Sequence, residues 1–255
     1  MRVLVTGSAD GLGRAAAASL LAQGHDVVVH ARNRHRAADL EQLVDQGAGL
    51  VIGDLADRDA VRNIAAELNG LAPVDSVIHN AGVSGGPGVM PVNVMAPYLL
   101  TVLLKGPGLD NPVLDNPVLM GPSRHVYLSS SSHYSGRASL AGVDWRGTKP
   151  GSYADSKLFL TALSAALARH RPDVMSNAVD PGWVPTKMGG AGAPDDFDLG
   201  HETQEWLAVS RQPEALTSGG YWYHRQRLEP HPAVSDTAFQ ENLLQVLAGE
   251  TGVEL

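Results

Sequence analysis

Residues 2–13 read Arg-Val-Leu-Val-Thr-Gly-Ser-Ala-Asp-Gly-Leu-Gly, a short β-branched run directly before three glycines. The run predicts a buried strand, and an alanine-rich helix follows the glycines. Gly7, Gly11 and Gly13 permit a sharp turn and a close approach of backbone to a pyrophosphate, which the positive end of the helix attracts. The spacing G-x-x-x-G-x-G differs from the commoner G-x-G-x-x-G. The turn therefore predicts a dinucleotide site, whereas a turn without a ligand needs only one of these glycines.

The rest of the chain alternates short β-branched runs with amphipathic segments. Further buried strands are predicted at residues 27–29, 50–52, 74–78, 126–128, 174–179 and 221–223. A helix is predicted from Asp57 to Leu68, where apolar residues recur with helical spacing. This alternation predicts an α/β fold with one Rossmann-type, doubly wound, mostly parallel sheet of about seven strands and helices on both faces. No change of composition marks a linker, so residues 1–255 are expected to form a single dinucleotide-binding and catalytic domain.

The composition excludes several classes of protein. The chain has 255 residues, with 19 lysines and arginines against 27 aspartates and glutamates, and a formal charge of −8. That sign argues against nucleic acid or an anionic membrane surface as a partner. No apolar run approaches the roughly 18 residues that span a bilayer. The first strand leaves no room for a secretory signal, so a cytoplasmic protein is expected. Without cysteine there is neither a disulfide nor a thiolate nucleophile, and the histidine spacing predicts no metal site.

The end of the predicted second strand bears on which dinucleotide binds. Residues 30–34 read His-Ala-Arg-Asn-Arg and contain no carboxylate, whereas an NAD site usually has an acid that accepts from the ribose hydroxyls. Arg32 can bind a 2′-phosphate through two hydrogen bonds. Asp10 in the glycine turn opposes such a phosphate, and Arg32 as an ordinary surface residue is the alternative. The sequence favours NADP(H) over NAD(H).

Tyr153 and Lys157 lie four residues apart at the start of a predicted helix that runs to His170, so their side chains share a face. An ammonium about 5 Å from a phenol contributes roughly 3 kcal/mol, or about two pKa units, which predicts a lowered pKa for Tyr153. A tyrosine shifted in this way can act as a general acid or base. A single Y-x-x-x-K pair is weak evidence by itself, and its weight comes from the other motifs.

The motifs from residue 6 to residue 186 follow the order found in short-chain dehydrogenases/reductases. They are Thr6-Gly7-x3-Gly11-x-Gly13, Asp54-Leu55, Asn80-Ala81-Gly82, Asn93, Ser129-Ser130, Tyr153 with Lys157, and Pro181-Gly182 followed by Thr186. The chain resembles the single-domain branch of that family. Trp145 and the late run 220–223 make it most similar to retinol dehydrogenases and protochlorophyllide reductases.

The resemblance implies catalytic roles. Tyr153 would exchange a proton with the substrate oxygen, Ser130 would hold that oxygen, and Lys157 would lower the pKa of Tyr153 and hold the nicotinamide ribose. A run of four serines leaves Ser131 as an alternative to Ser130.

Asn93 has an additional argument. Pro97 lacks the N–H that would bond the Asn93 carbonyl in a helix, which frees that carbonyl for a water in the family's proton relay. The alternative is that Pro97 lies in the first helical turn, where no N–H is needed.

The residues predicted to bind the dinucleotide are Thr6, Gly7, Gly11, Leu12, Gly13, Arg32, Asp54, Leu55, Asn80, Ala81, Gly82, Tyr153, Lys157, Pro181, Gly182 and Thr186. Asp54 would accept from the adenine amine, and its alternative role is to cap a helix or loop.

Two segments depart from the simple alternation. Residues 109–118 repeat Leu-Asp-Asn-Pro-Val and predict an exposed loop. The family often pairs subunits near this point, so a homo-oligomer is one expectation and the added loop weakens it. Residues 181–215, rich in Gly and Pro at first, are predicted to form a substrate lid. The residues that either line an apolar substrate site or simply pack are Trp145, Trp183, Met188, Phe197 and Trp206.

Together these features predict an NADP(H)-dependent oxidoreductase that passes hydride between nicotinamide and a carbonyl or alcohol of a small apolar substrate. The alternative is a dinucleotide sensor or scaffold without catalysis, against which the retained serine, tyrosine and lysine argue. Epimerisation or dehydration is a second alternative, but relatives with those reactions usually carry a larger carboxy-terminal substrate domain.

Overall fold

The computed structural model describes residues 1–106 and 124–255, so the predicted loop at residues 109–118 lies outside the described residues. One eight-stranded sheet forms the centre of the described ranges. Its strands are Arg2–Val5 (β1), Asp26–Ala31 (β2), Gly49–Ile52 (β3), Ser76–His79 (β4), Arg124–Leu128 (β5), Met175–Asp180 (β6), Tyr221–Tyr223 (β7) and Gln226–Leu228 (β8). Their order is β3-β2-β1-β4-β5-β6-β7-β8. All neighbours are parallel except β7 and β8, which confirms the predicted doubly wound sheet.

Helices cover both faces of this sheet. They are Gly11–Ala22 (α1), Arg34–Ala37 (α2), Glu41–Asp45 (α3), Arg58–Asn69 (α4), Ala96–Leu103 (α5), Tyr153–His170 (α6), Phe197–Val209 (α7) and Thr237–Thr251 (α8). α1 and α7 pack together against one face, α4 and α5 contact each other on the opposite face, and α8 packs on α6. Three clusters of buried apolar side chains fill these layers.

Capping side chains explain where the predicted helices begin. Asp57 accepts hydrogen bonds from the N–H groups of Asp59 and Ala60, at 2.9 and 3.4 Å, and α4 starts directly after it. The apolar stripe of α4 is buried as its spacing predicts. Ser152 accepts from the Asp155 N–H at 3.2 Å, so α6 begins at Tyr153. This cap fixes Tyr153 as the first residue of α6.

The eighth strand was not predicted, since about seven were expected. β8 is polar and exposed and therefore has no apolar pattern. The turn that precedes it consists of His224 and Arg225, which adopt positive φ angles of 48° and 61°. Hairpin turns of this kind usually carry Asn or Gly, so the sequence contains no signal for this one.

The predicted lid, residues 181–215, contains a helix that packs in the core. Residues 197–209 form α7, the crossover helix between β6 and β7, and Trp206, Leu207 and Ala208 are buried in the cluster shared with α1. A helix packed in this way is part of the core and cannot open as a lid. The stretches of residues 181–215 on both sides of α7 lie at the surface, and closure of the one before α7 over a substrate stays a prediction.

The strand order places the site. In the sheet, β2 and β3 lie on one side of β1 and β4 lies on the other. The chain therefore builds the sheet outward from β1 first in one direction and then in the opposite one. In open α/β sheets, ligands bind outside the carboxyl ends of the strands at such a switch point. Of the helices in the described ranges, none has the length and apolar character needed to cross a membrane.

Candidate active site

The glycine turn lies between the carboxyl end of β1 and the start of α1. Gly7 has a φ of +68°, and a Cβ there would approach the Ala81 Cα to 2.9 Å. At Gly13 a Cβ would lie 2.2 Å from Asn80 Nδ2 and 2.6 Å from the Gly7 carbonyl oxygen. Both positions therefore require glycine, and the second keeps α1 tight against the turn.

Hydrogen bonds fasten this turn to the ends of the neighbouring strands. Asn80 Nδ2 donates to the Thr6 carbonyl at 2.9 Å, and the Ala81 N–H donates to Thr6 Oγ1 at 3.0 Å. His30, at the end of β2, accepts from the Gly7 N–H through Nδ1 at 3.0 Å, and its Nε2 lies 2.8 Å from the Gly53 carbonyl. These bonds fix a neutral imidazole, and burial lowers the pKa of His30. The sequence analysis missed His30, which also lines the cavity described next.

A cavity of about 570 Å³ runs along the carboxyl ends of the strands, from the glycine turn to α6. The predicted site residues that line it are Gly7, Gly11, Leu12, Arg32, Asp54, Leu55, Asn80, Ala81, Gly82, Tyr153, Lys157, Pro181 and Thr186. Thr6 and Gly13 lie behind this wall and support it through the contacts above. Ser130, Asn93 and Gly182 are not part of the wall, which Ser129 lines instead of Ser130.

Tyr153 and Lys157 line the cavity from α6, and Gly82 of the loop after β4 lies beside Lys157. The Lys157 ammonium nitrogen is 5.4 Å from the centre of the Tyr153 ring, as the helical spacing predicts. It is buried and donates to the Leu128 carbonyl at 2.6 Å. The pair therefore forms one polar unit where β5 and α6 meet.

The prediction that the Tyr153 pKa is lowered is wrong, because burial and the surrounding side chains together raise it. Burial raises that pKa, a side-chain hydrogen bond with Ser130 lowers it, and the charge of Asp180 raises it. Burial also lowers the pKa of Lys157 to about 8, which Asp180 partly opposes. The helical spacing of Tyr153 and Lys157 indicates the attraction between them. It does not indicate the free-energy cost of removing both side chains from water, which is the larger effect on both pKa values.

Ser130 is the serine that the structure brings to Tyr153. It is hydrogen bonded to Tyr153 and caps the short helix Ser131–Ser135 by accepting from the Ser132 N–H at 3.2 Å. Ser131 is exposed. The geometry favours Ser130 over Ser131.

Asn93 lies in a wide π turn, Pro91–Met95, which directly precedes α5. Its side chain donates to the Val83 carbonyl at 3.0 Å and to Ser156 Oγ at 2.9 Å, and accepts from the Val83 N–H at 2.9 Å. The Asn93 side chain therefore links the loop after β4, through Val83, to α6, through Ser156. The predicted relay role concerns the backbone carbonyl and stays a prediction.

Charged groups surround the mouth of the cavity. Asp10 pairs with Lys187 and lies 3.6 Å from Arg36, and the bond with Lys187 is the main cause of its lowered pKa. Sequence reasoning missed Arg36 and Lys187, which both line the cavity. Arg32 also lines it, and no ion pair of Arg32 is found in the described ranges. Asp10 is thus neutralised by its own neighbours, which removes the objection it raised to a bound phosphate.

Three of the five apolar candidates for the substrate site pack in the core. Trp145 and Trp206 are buried, and Phe197 packs against the cluster that contains Trp206. Trp183 and Met188 remain, with 61% and 48% of their surface exposed, on the stretch before α7. Of these two, Met188 lines the cavity and Trp183 does not.

The residues fit the nicotinamide dinucleotide that the fold implies. The two glycines admit backbone contact where any side chain would clash, and the cavity extends from there to a tyrosine and a lysine. Asp54 Oδ1 accepts from the Ala56 N–H at 2.9 Å, which gives it the predicted capping role while it lines the cavity. A glycine turn at the switch point and a tyrosine–lysine pair in the same cavity define a dinucleotide-binding α/β oxidoreductase.

Comparisons with known proteins identify the family. A family model described as short chain dehydrogenase matches residues 1–98. An uncharacterized oxidoreductase of Emericella nidulans is 34% identical over 267 residues, which cover 99% of this chain and 98% of the relative. Retinol dehydrogenase 14 of Mus musculus is 33% identical over 216 residues, or 73% of this chain and 62% of the relative. A crystal structure described as a short chain dehydrogenase from Shigella flexneri complexed with NADP has a TM-score of 0.67 at 23% identity, covering 88% of this chain and 97% of that one.

The chain belongs to the short-chain dehydrogenase/reductase family and is an oxidoreductase of that family. Its similarity to retinol dehydrogenases confirms the predicted branch.

Proposed function

We propose that this protein is an NADP(H)-dependent oxidoreductase that transfers hydride between nicotinamide and a carbonyl or alcohol of a small apolar substrate. The observation that carries the proposal is the buried Lys157 ammonium beside Tyr153, which is itself hydrogen bonded to Ser130. A dinucleotide sensor needs the glycine turn but has no use for a phenol, a hydroxyl and a buried cation. The arrangement therefore favours catalysis over sensing.

Each of these side chains has one task in the proposed reaction. The bound dinucleotide supplies the hydride donor or acceptor. Ser130 and Tyr153 hold the substrate oxygen, and Tyr153 gives a proton to it during reduction or takes one during oxidation. Lys157 holds the ribose and adds positive charge beside the phenol. Exposed Trp183 and Met188 provide apolar contact for the substrate.

The experiment that tests the function is a screen of apolar ketones, aldehydes and alcohols with NADPH or NADP⁺, followed through the absorbance of reduced nicotinamide. We expect turnover of some apolar carbonyl compounds and a loss of that turnover in the Lys157→Met variant. A protein that binds the dinucleotide but turns over nothing in either direction would support the sensor alternative. The cytoplasmic location and the state of assembly stay predictions.

Arg32 is proposed to select the 2′-phosphate of NADP(H). It lines the cavity at the end of β2, is exposed, and no carboxylate faces it from the residues 31–34. Replacing Arg32 by alanine removes charge-assisted hydrogen bonds, so we expect NADPH binding to weaken by about tenfold while NADH binding stays unchanged. Fluorescence titration of both cofactors measures this.

The matched control is Arg34→Ala. Arg34 is an exposed arginine two residues further along that does not line the cavity. Its loss leaves both affinities as they are. Equal weakening of NADPH and NADH in the Arg32 variant, or a preference of the wild type for NADH, contradicts the assignment.

A further inference from the structure

A buried carboxylate lies beside the catalytic pair and has no role in the reaction described so far. Asp180 is the last residue of β6, and 6% of it is exposed. Its Oδ1 accepts from the Gly182 N–H at 3.0 Å, and its Oδ2 accepts from the Tyr221 hydroxyl at 3.0 Å. Both partners are donors, which is the arrangement that an ionised carboxylate requires.

The strand geometry shows which face Asp180 occupies. Val179 belongs to the core cluster shared with α1, and side chains alternate along a strand, so Asp180 points to the opposite face. On that face the neighbouring residue Ser129, whose N–H donates to the Val179 carbonyl at 2.7 Å, sends its hydroxyl to Thr161 of α6 at 2.6 Å. The carboxylate therefore faces α6.

The same face holds the lysine. The Lys157 ammonium donates to the Leu128 carbonyl, and Leu128 is the register partner of Val179. Neighbouring strands lie about 4.8 Å apart. Asp180 directly follows Val179, so its side chain lies on the α6 side of the sheet, next to the strand whose Leu128 carbonyl anchors the ammonium.

We propose that Asp180 is a positioning residue that keeps Lys157 charged and Tyr153 protonated, and so sets the pH at which the site changes from the form that reduces a carbonyl to the form that oxidises an alcohol. The inference rests on the proposed function, because it assumes that Tyr153 exchanges the substrate proton. In reduction, hydride adds to the carbonyl carbon, the π electron pair moves to oxygen, and that oxygen takes the phenol proton of Tyr153. Reduction therefore needs the phenol, and oxidation of the alcohol needs the phenolate.

Electrostatics at the site agree with this geometry. A negative charge opposes the loss of a proton from a neighbouring group. Burial raises the pKa of Tyr153, and Asp180 raises it further. Burial lowers the pKa of Lys157 to about 8, and Asp180 opposes that lowering.

Other titratable groups also face Asp180. They are Tyr221 and Tyr223 from β7, His133 and Tyr134 from the short helix after β5, and Tyr153 and Lys157 from α6. Burial raises the pKa of each of these tyrosines and lowers that of His133. The tyrosines and His133 are therefore neutral at pH 7, and Lys157 is the cation among these groups.

The test is the Asp180→Asn variant, which removes the charge and keeps the shape. The asparagine oxygen can still accept from the Gly182 N–H, and its amide can donate to the Tyr221 oxygen. We expect the pKa of Tyr153 to fall by about one unit. The tyrosinate absorbance of each protein, minus that of its Tyr153→Phe counterpart, measures this without any turnover.

The kinetic readout is the pH dependence in both directions. In the variant, the alkaline loss of reduction and the alkaline rise of oxidation should each move to lower pH by about one unit. Asp195→Asn is the matched control. Asp195 accepts from the Trp183 N–H at 2.6 Å on the adjacent loop and affects the pKa of Tyr223 but not that of Tyr153. It should leave both profiles in place.

Asp180→Ser is a second neutral variant, for use where the asparagine protein does not fold. Unchanged Tyr153 titration and unchanged pH profiles in a folded neutral variant would overturn the role of Asp180 and leave the proposed function intact. A Tyr153→Phe protein that still turns over would instead overturn the proposed function. The two failures are therefore distinguishable.

Discussion

Replacing Tyr153 by phenylalanine is expected to lower turnover by about 10²- to 10⁴-fold, which is the range that a positioned general acid or base contributes. The phenyl ring keeps the packing of α6 and removes only the hydroxyl that is hydrogen bonded to Ser130. Affinity for the dinucleotide should change little, because the glycine turn and Lys157 are left in place. Steady-state rates on a substrate from the screen, with a separate titration of NADPH, measure the two effects.

Tyr98→Phe is the matched control for the loss of one phenol hydroxyl. Tyr98 is fully buried, and its hydroxyl donates to the Val253 carbonyl at 2.7 Å, away from the residues that line the cavity. Its removal costs about 1 kcal/mol of folding free energy and leaves turnover unchanged. Normal turnover in the Tyr153 variant would contradict the mechanism.

Local signals made the frame of the fold predictable. Gly7 has a φ of +68°, which glycine adopts without strain, and the short apolar run before it forms β1. Asp57 and Ser152 cap helices whose starts were read from the sequence within a residue. Such features depend on neighbours in the chain, so the chain itself reports them.

Features that depend on distant residues were not predictable. Whether residues 197–209 form a lid or a core helix depends on whether another helix covers their apolar side chains. The apolar face of α1 covers them. The pKa of Tyr153 depends on burial and on Asp180 of another strand, neither of which the spacing to Lys157 contains. Asp180 carries no motif signal, because its hydrogen bonds to Gly182 and Tyr221 exist only once β6 and β7 pair.

Acid is expected to destabilise the protein through two histidines in the core. His79 on β4 and His125 on β5 are buried, their Nε2 and Nδ1 atoms lie 3.2 Å apart, and both stack with Tyr127. Burial lowers the pKa of His125 from 6.5 to about 4 and that of His79 well below 6.5. The unfolded chain therefore binds protons at pH values where the folded protein does not.

The sign and the pH window follow from these values. A histidine with a lowered pKa in the folded state stabilises the protein above pH 6.5, and that stability is lost as the pH falls towards 4. For His125 the loss is about 3 kcal/mol, from roughly 1.4 kcal/mol per pKa unit. His201 has a raised pKa because of its bond to Glu205. It is charged in both states below pH 6.5, so it does not offset this loss.

Replacing both His79 and His125 by phenylalanine should therefore flatten the dependence of the unfolding free energy on pH between about 6.5 and 4. Removing both partners leaves no unpaired nitrogen behind, and rings of similar shape keep the stack with Tyr127. Urea unfolding at a series of pH values measures the slope, with the exposed His35→Gln variant as the control. A slope as steep in the double variant as in the wild type would mean that His30 and His133, whose pKa values burial also lowers, carry the acid sensitivity instead. Acid would then break the bond that His30 Nδ1 accepts from the Gly7 N–H in the glycine turn and the bond that His133 Nε2 accepts from the His231 N–H at 3.0 Å, before it reached the core.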